Sequence, residues 1–259
     1  MNLIKFILVF LISLPIFDSR ADTFYGTLRG EDSIEIKSPY SGVVKHLLPK
    51  ESGIYKNESP ISVESYELNS KKSILKIKIE NLKSKFNRLQ KEYNNTREAY
   101  KKGFVSLSSV NEKEDAIKEE KINLEELNIE LTALENMLQL GKPVIAKKFI
   151  VRQFYAVDKQ VVNAGDNIVR VETIDNFLID IKYDPVAMKG RIQDKEIKFK
   201  SLVTGVSGKA IVLKITNPKD NDNTQGAKIA SLLLSTESGD LYQLLDTVFE
   251  ITIHDKTKH

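Results

Sequence analysis

The sequence predicts an α+β fold: a long antiparallel coiled-coil hairpin set into a β-domain and followed by a small β-barrel. Three observations carry this. Two heptad series are joined by a short Gly-to-Ser connection, β-forming stretches flank them, and five spaced strand candidates run toward the C-terminus.

The hairpin is the most regular part. No Gly or Pro occurs between Glu64 and Lys102. Leu75, Leu82, Leu89 and Thr96 lie seven apart, and so do Ile79, Phe86, Tyr93 and Tyr100. The two series interleave at steps of four and three, the a/d pattern of a coiled-coil helix, with charged Lys72 in the same register. A second run, Leu107 to Leu140, carries Val110, Ile117, Leu124, Leu131 and Leu138 at the same interval. Leu127 and Leu134 fill its companion position, whereas Lys113 and Glu120 occupy it nearer the start. Those two polar residues point to a looser end, or to one that pairs with another chain. In the connection, Gly103 suits a helix end and Ser106 a helix cap. A link this short makes the helices antiparallel neighbours, each roughly 50–55 Å long. Each arm has only a narrow apolar seam, so its other faces meet solvent or a partner.

On the N-terminal side, Ile34, Ile36 and Val43-Val44 are β-formers punctuated by Ser38-Pro39, Ser41-Gly42, Pro49, Gly53 and Pro60. After Gly141-Lys142-Pro143, β character returns from Val144 to Val171, with a turn at Asn163-Ala164-Gly165-Asp166. The later strand candidates are Phe177–Tyr183, Glu196–Val203, Lys209–Thr216, Lys228–Ser235 and Thr247–His254. Turns are expected at Asn217–Gly226 and Gly239. Strands spaced in this way fit a small barrel or sandwich.

Among 259 residues, 39 basic side chains face 36 acidic ones, for a net charge of +3, and the two signs are interleaved along the sequence. That balance gives no reason to expect a nucleic-acid partner. The absence of cysteine removes disulfides, thiolate metal sites, cysteine nucleophiles and a lipidated N-terminal cysteine. At the start, Lys5 precedes an apolar run from Phe6 to Phe17, and Ser19-Arg20-Ala21 supplies small residues for a signal peptidase. The run is shorter than the ~20 apolar residues of a full membrane span. A secretory signal cut after Ala21 is expected, with an uncleaved inner-membrane anchor as the alternative.

The β segments beside the hairpin look like halves of one motif. Ile54-Tyr55-Lys56-Asn57-Glu58-Ser59-Pro60-Ile61 parallels Val162-Asn163-Ala164-Gly165-Asp166-Asn167-Ile168 in its order of hydrophobe, turn residue, acid and hydrophobe. With Ser38-Pro39-Tyr40-Ser41-Gly42-Val43-Val44, this resembles the split lipoyl-like (barrel-sandwich hybrid) domain of the HlyD/AcrA family of periplasmic adaptors, the membrane fusion proteins. The resemblance runs from about residue 34 to 254 in the family's order. It implies a signal peptide at 1–21, a first half-lipoyl segment at 22–63, the hairpin at 64–141 with its tip at 101–107, a second half-lipoyl at 142–174, and a barrel at 175–259. A membrane-proximal domain is expected to be missing.

The resemblance also implies a periplasmic, peripheral, non-enzymatic adaptor of an export or efflux system. Its implied partners are an inner-membrane transporter, an outer-membrane channel and further copies in a ring. The alternative is a stand-alone periplasmic scaffold or envelope-assembly protein. The family's tip pattern of Arg, Leu and Ser falls here on Asn95, Ala99 and Ser106, so only the serine is kept in register. At the second half-lipoyl, Lys147 and Ile150 stand where the first has Pro and Gly.

No catalytic, cofactor or metal site is expected. Gly-x-Ser-x-Gly is absent, His46, His254 and His259 lack ligand spacing, and the mature chain keeps only Met137 and Met188. Ala187-Met188-Lys189 looks like a biotin attachment sequence, but it lies outside the lipoyl-like halves, where no carrier lysine is expected. The candidate partner-binding residues are Gly103, Phe104, Val105, Ser106 and Leu107, because apolar side chains at an exposed turn either close the turn or face a partner.

Overall fold

A computed structural model describes residues 22–48, 53–218, 226–235 and 241–256. Residues 1–21, where a signal sequence is expected, Gly239 and most of the 217–226 loop lie outside the described residues. The chain forms two compact units, Met1–Asp32 with Thr173–His259, and Ser33–Glu172.

In the first unit, six strands close a barrel. They are β1 (Asp22–Gly30), β8 (Phe177–Tyr183), β9 (Lys195–Ser201), β10 (Ser207–Thr216), β11 (Lys228–Ser235) and β12 (Val248–Asp255), in the order β1-β12-β9-β10-β11-β8. Alternation places Leu28, Ile179, Ile181, Phe199, Leu232, Phe249 and Ile251 inside. The five C-terminal strands coincide with the candidates to within a few residues. The sixth does not follow from the expected boundaries, which put residues 22–63 together in a half-lipoyl segment. Asp22 to Thr27 pair antiparallel with β12, and Leu28 to Gly30 pair with β8, so β1 belongs to the barrel. Arg29 fastens it there: Nε and Nη2 donate to the two Asp180 carboxylate oxygens at 2.7 and 3.0 Å, and Ser231 Oγ donates to the same group. Burial pushes the Asp180 carboxyl up, but the bonds from Arg29 and Ser231 outweigh it and hold the pKa below the usual carboxylate value. Met188 is buried in this barrel core, which accounts for the Ala187-Met188-Lys189 segment by packing.

The second unit holds β2 (Ser33–Lys37), β3 (Gly42–His46), β4 (Ile61–Glu64), α1 (Tyr66–Lys101), α2 (Leu107–Leu140), β5 (Phe149–Phe154), β6 (Val161–Val162) and β7 (Asn167–Thr173). Two three-stranded sheets form, β2-β7-β5 and β4-β3-β6. Each combines strands from before and after the hairpin, so neither half completes a sheet alone. Val44, Ile61, Val63, Phe149, Val162, Ile168 and Val169 fill the core between them. In the Asn163–Asp166 turn, Gly165 N–H donates to the Ser38 carbonyl, and Ser38 N–H donates to the Asp166 carbonyl. His46 stacks on Phe154 with ring centroids 4.0 Å apart, which gives this histidine a packing role.

Candidate functional site: the hairpin seam, root and tip

The helices have 36 and 34 residues, hence about 54 and 51 Å of rise. Ser65 caps α1 by accepting from Leu68 N–H, and Ser106 caps α2 by accepting from Ser109 N–H. Between them, Gly103 takes a left-handed φ of 78°, with nothing within 4 Å of the position a β-carbon would occupy.

Along α1 the less exposed side chains are Leu75, Ile79, Leu82, Phe86, Leu89, Tyr93 and Thr96, following Lys72. Along α2 they include Val110, Lys113, Ile117, Glu120, Leu124, Leu127, Leu131, Leu134 and Leu138. These side chains stand at heptad positions. Tyr100 departs from this pattern. It is exposed, and half-buried Ala99 turns inward instead. At that level the opposing chain is the turn itself, so no second helix faces Tyr100.

The polar seam positions near the tip are paired within the hairpin. Lys113 Nζ donates to Glu92 at 2.8 Å, and Lys85 Nζ donates to Glu120 at 2.8 Å. Both α1 partners stand one position before an apolar seam residue, so each reaches across the edge of the seam. Glu120 is only 4% exposed, and its Oε1 makes no hydrogen bond. Toward the root, Lys72 pairs with Glu135 and Lys71 with Glu130. The Lys113 bond holds Glu92 below the usual carboxylate range, and the Lys72 bond does the same for Glu135.

The root is clamped to the β-core. Tyr40 Oη lies 2.9 Å from the Val63 carbonyl and 3.1 Å from the Leu138 carbonyl, so one hydroxyl serves the strand entering α1 and the last turn of α2. Val63 N–H donates to the Gly141 carbonyl. A β-carbon on Gly141 would meet Tyr40 Oη at 2.0 Å, so only glycine lets the chain pass under the tyrosine. Burial raises the Tyr40 pKa, and Glu64 adds to it. Nothing in the heptad pattern signals this clamp. Its one sequence trace is a tyrosine next to a turn proline.

At the tip, Phe104 is 77% exposed and Leu107 is 54% exposed, whereas Val105 is half-buried. Phe104 and Leu107 therefore do not close the turn. Gly103 and Ser106 are also exposed, with Ser106 Oγ engaged as the helix cap. Of the other tip-pattern positions, Asn95 is exposed and Ala99 half-buried. Among the described residues, no three His, Asp or Glu side chains cluster as metal ligands, and no helix is long and apolar enough to cross a membrane.

No protein-family model and no curated protein matches the sequence. The structure does match. The membrane fusion protein Spr0693 from Streptococcus pneumoniae R6 superposes with a TM-score of 0.71 at 14% identity, over 91% of this chain and all of that one. This is the membrane fusion protein fold. MacA from Actinobacillus actinomycetemcomitans shares the fold at TM-score 0.62 and 14% identity, over 91% of this chain and 78% of that one. ZneB from Cupriavidus metallidurans shares it at 0.57 and 10%, over 91% and 98%.

Proposed function

We propose that this chain is the periplasmic adaptor subunit of a transenvelope export system, linking an inner-membrane transporter to an outer-membrane channel. The carrying observation is the tip: Phe104 and Leu107 are presented to solvent at the end of a hairpin whose root is fixed to the β-core. Exposed apolar side chains at a turn lower their free energy by burial against another protein. The role is scaffolding, with no bond made or broken. Residues 1–21 direct export, and copies of the chain assemble as a ring.

The test is the pair Phe104→Asp and Leu107→Asp. Export should be lost while helical circular dichroism is unchanged, and undiminished export would sink the proposal. A photo-crosslinking side chain at position 104 should recover the channel. Position 104 is preferable to Ser106 because it leaves the helix cap in place.

A stand-alone periplasmic scaffold is the second reading. The observation favouring it is that Ser106, the only tip-pattern residue kept in register, is occupied as a cap. Recovery of an envelope-assembly protein without a channel would decide for it, and a neighbouring transporter gene would decide against it.

A further inference from the structure

The outside of the barrel carries a groove that packing of the barrel does not account for. Ile179 and Ile181 of β8, Ala230 and Leu232 of β11, and Val212 and Ile215 of β10 pack on the core. Positions between them face outward, where an antiparallel strand ordinarily meets water with polar side chains. Leu178, Ile229 and Leu213 stand there instead, lining a groove of about 850 Å³. Leu178 is only 3% exposed although it belongs to neither core, and Leu213 is 56% exposed.

A β-bulge puts Leu213 in place. Val212 stands opposite Leu232 and Lys214 opposite Ser231, which leaves Leu213 as the extra residue of β10. Leu213 and Lys214 therefore both lie between inward-packed Val212 and Ile215, and both are exposed. The bulge turns an apolar side chain and a cation outward together.

Cross-strand register arranges the rest of the groove in two rows. Asp180, Ser231 and Lys214 are neighbours across β8, β11 and β10, and Lys182, Ile229 and Thr216 form the next row. Asp180 is the one carboxylate in these rows, and it is already held by Arg29 and Ser231. Lys182 and Lys214 are exposed, and neither forms an ion pair among the described residues. Elsewhere on the barrel, Lys195 and Lys209 are answered by Asp255 and Glu196. The two free lysines stand on either side of β11, roughly 12 Å apart along the sheet. Their flexible stems let both ammonium groups reach one anion above Ile229.

We propose that this groove binds a dissolved amphipathic anion. Its apolar chain lies against Leu178, Ile229 and Leu213, and its carboxylate, sulfonate or phosphate accepts hydrogen bonds from Lys182 and Lys214. An apolar floor with a few convergent charged donors is the composition of a small-molecule site. Glu31 and Asp32 also line the groove, and their charge favours one small anion over the broad anionic surface of a bilayer. The groove lies wholly within the barrel unit, and the proposal rests on no part of the adaptor reading.

The test is calorimetric titration of the full chain with sodium decanoate below its micelle concentration, which should show one saturable site. Decyltrimethylammonium, with the same chain and the opposite charge, should bind at least ~10-fold more weakly. Lys182→Gln with Lys214→Gln should weaken decanoate binding about tenfold, and Lys182→Arg with Lys214→Arg should retain it. Leu213→Ser should weaken it about fivefold. These side chains are exposed, so the barrel should keep its fold, as circular dichroism will show. Lys189→Gln with Lys256→Gln removes two exposed lysines that do not line the groove, and binding should be unchanged. Absence of saturable binding, equal affinity for the two amphiphiles, or equal loss from both lysine pairs would each overturn the proposal. Cosedimentation with phosphatidylglycerol vesicles without decanoate binding would overturn it in favour of a membrane surface.

Discussion

The two ends of one coiled coil are built differently. At the root, Leu75, Leu131, Leu134 and Leu138 make the seam, and Tyr40 ties it to the β-core through two carbonyls. At the tip, the seam includes Lys113 and Glu120, each answered by a single side chain, and it ends at Phe104 and Leu107, which nothing covers. Apolar burial is insensitive to small shifts, whereas an ion pair across the edge of the seam forms only where its two side chains stand level. The root therefore supplies stability. The tip fixes register and keeps a surface available.

Leucine truncation tests this contrast with the largest expected effect. Leu134→Ala at the root should cost ~3 kcal/mol in urea unfolding, because buried methyl groups and their contacts are lost. Leu107→Ala at the exposed tip should cost about 0.5 kcal/mol or less. Equal losses would erase the distinction.

A smaller change of opposite sign is expected from Glu120→Leu. It replaces a buried carboxylate with an unbonded Oε1 by an apolar side chain at a seam position, and it frees exposed Lys85 to solvent. Stabilisation of ~1 kcal/mol should follow, seen as a higher unfolding midpoint. A loss of stability would show that the Lys85–Glu120 pair contributes more than burial of a leucine at that position.

The smallest effect is on acid stability. Glu92 and Glu135 are held below the ordinary carboxylate pKa by Lys113 and Lys72. A carboxyl with a lowered folded pKa contributes stability above its unfolded pKa and loses it as pH falls through the folded value. Hairpin stability should therefore decline slightly as the pH drops below the usual carboxylate range. Hydrogen exchange should rise first around residues 86–96, where Lys113 is left in the seam without its partner. Earlier opening at the root would contradict the contrast.

Much of this was legible in the sequence because it is local. A seven-residue interval makes one helical stripe whatever surrounds it, so Leu75 to Thr96 and Val110 to Leu138 could be placed from sequence alone. Gly103 and Ser106 mark helix ends through their own backbone and hydroxyl chemistry. The five C-terminal strands were readable from alternation and turn residues.

What the tertiary structure decided is nonlocal. β1 reads as an ordinary strand, and nothing within Asp22–Gly30 says that its partners lie at 177–179 and 248–253. The sequence showed Lys113 and Glu120 as breaks in an apolar stripe, but Glu92 and Lys85 became their partners only when the helices folded back. Tyr40 and Gly141 meet across a hundred residues, through a contact that no periodicity encodes. Exposure at Phe104 and Leu107 was likewise undecided until the turn had a shape. Local spacing fixes which face of an element is apolar, while chain closure determines what that face meets.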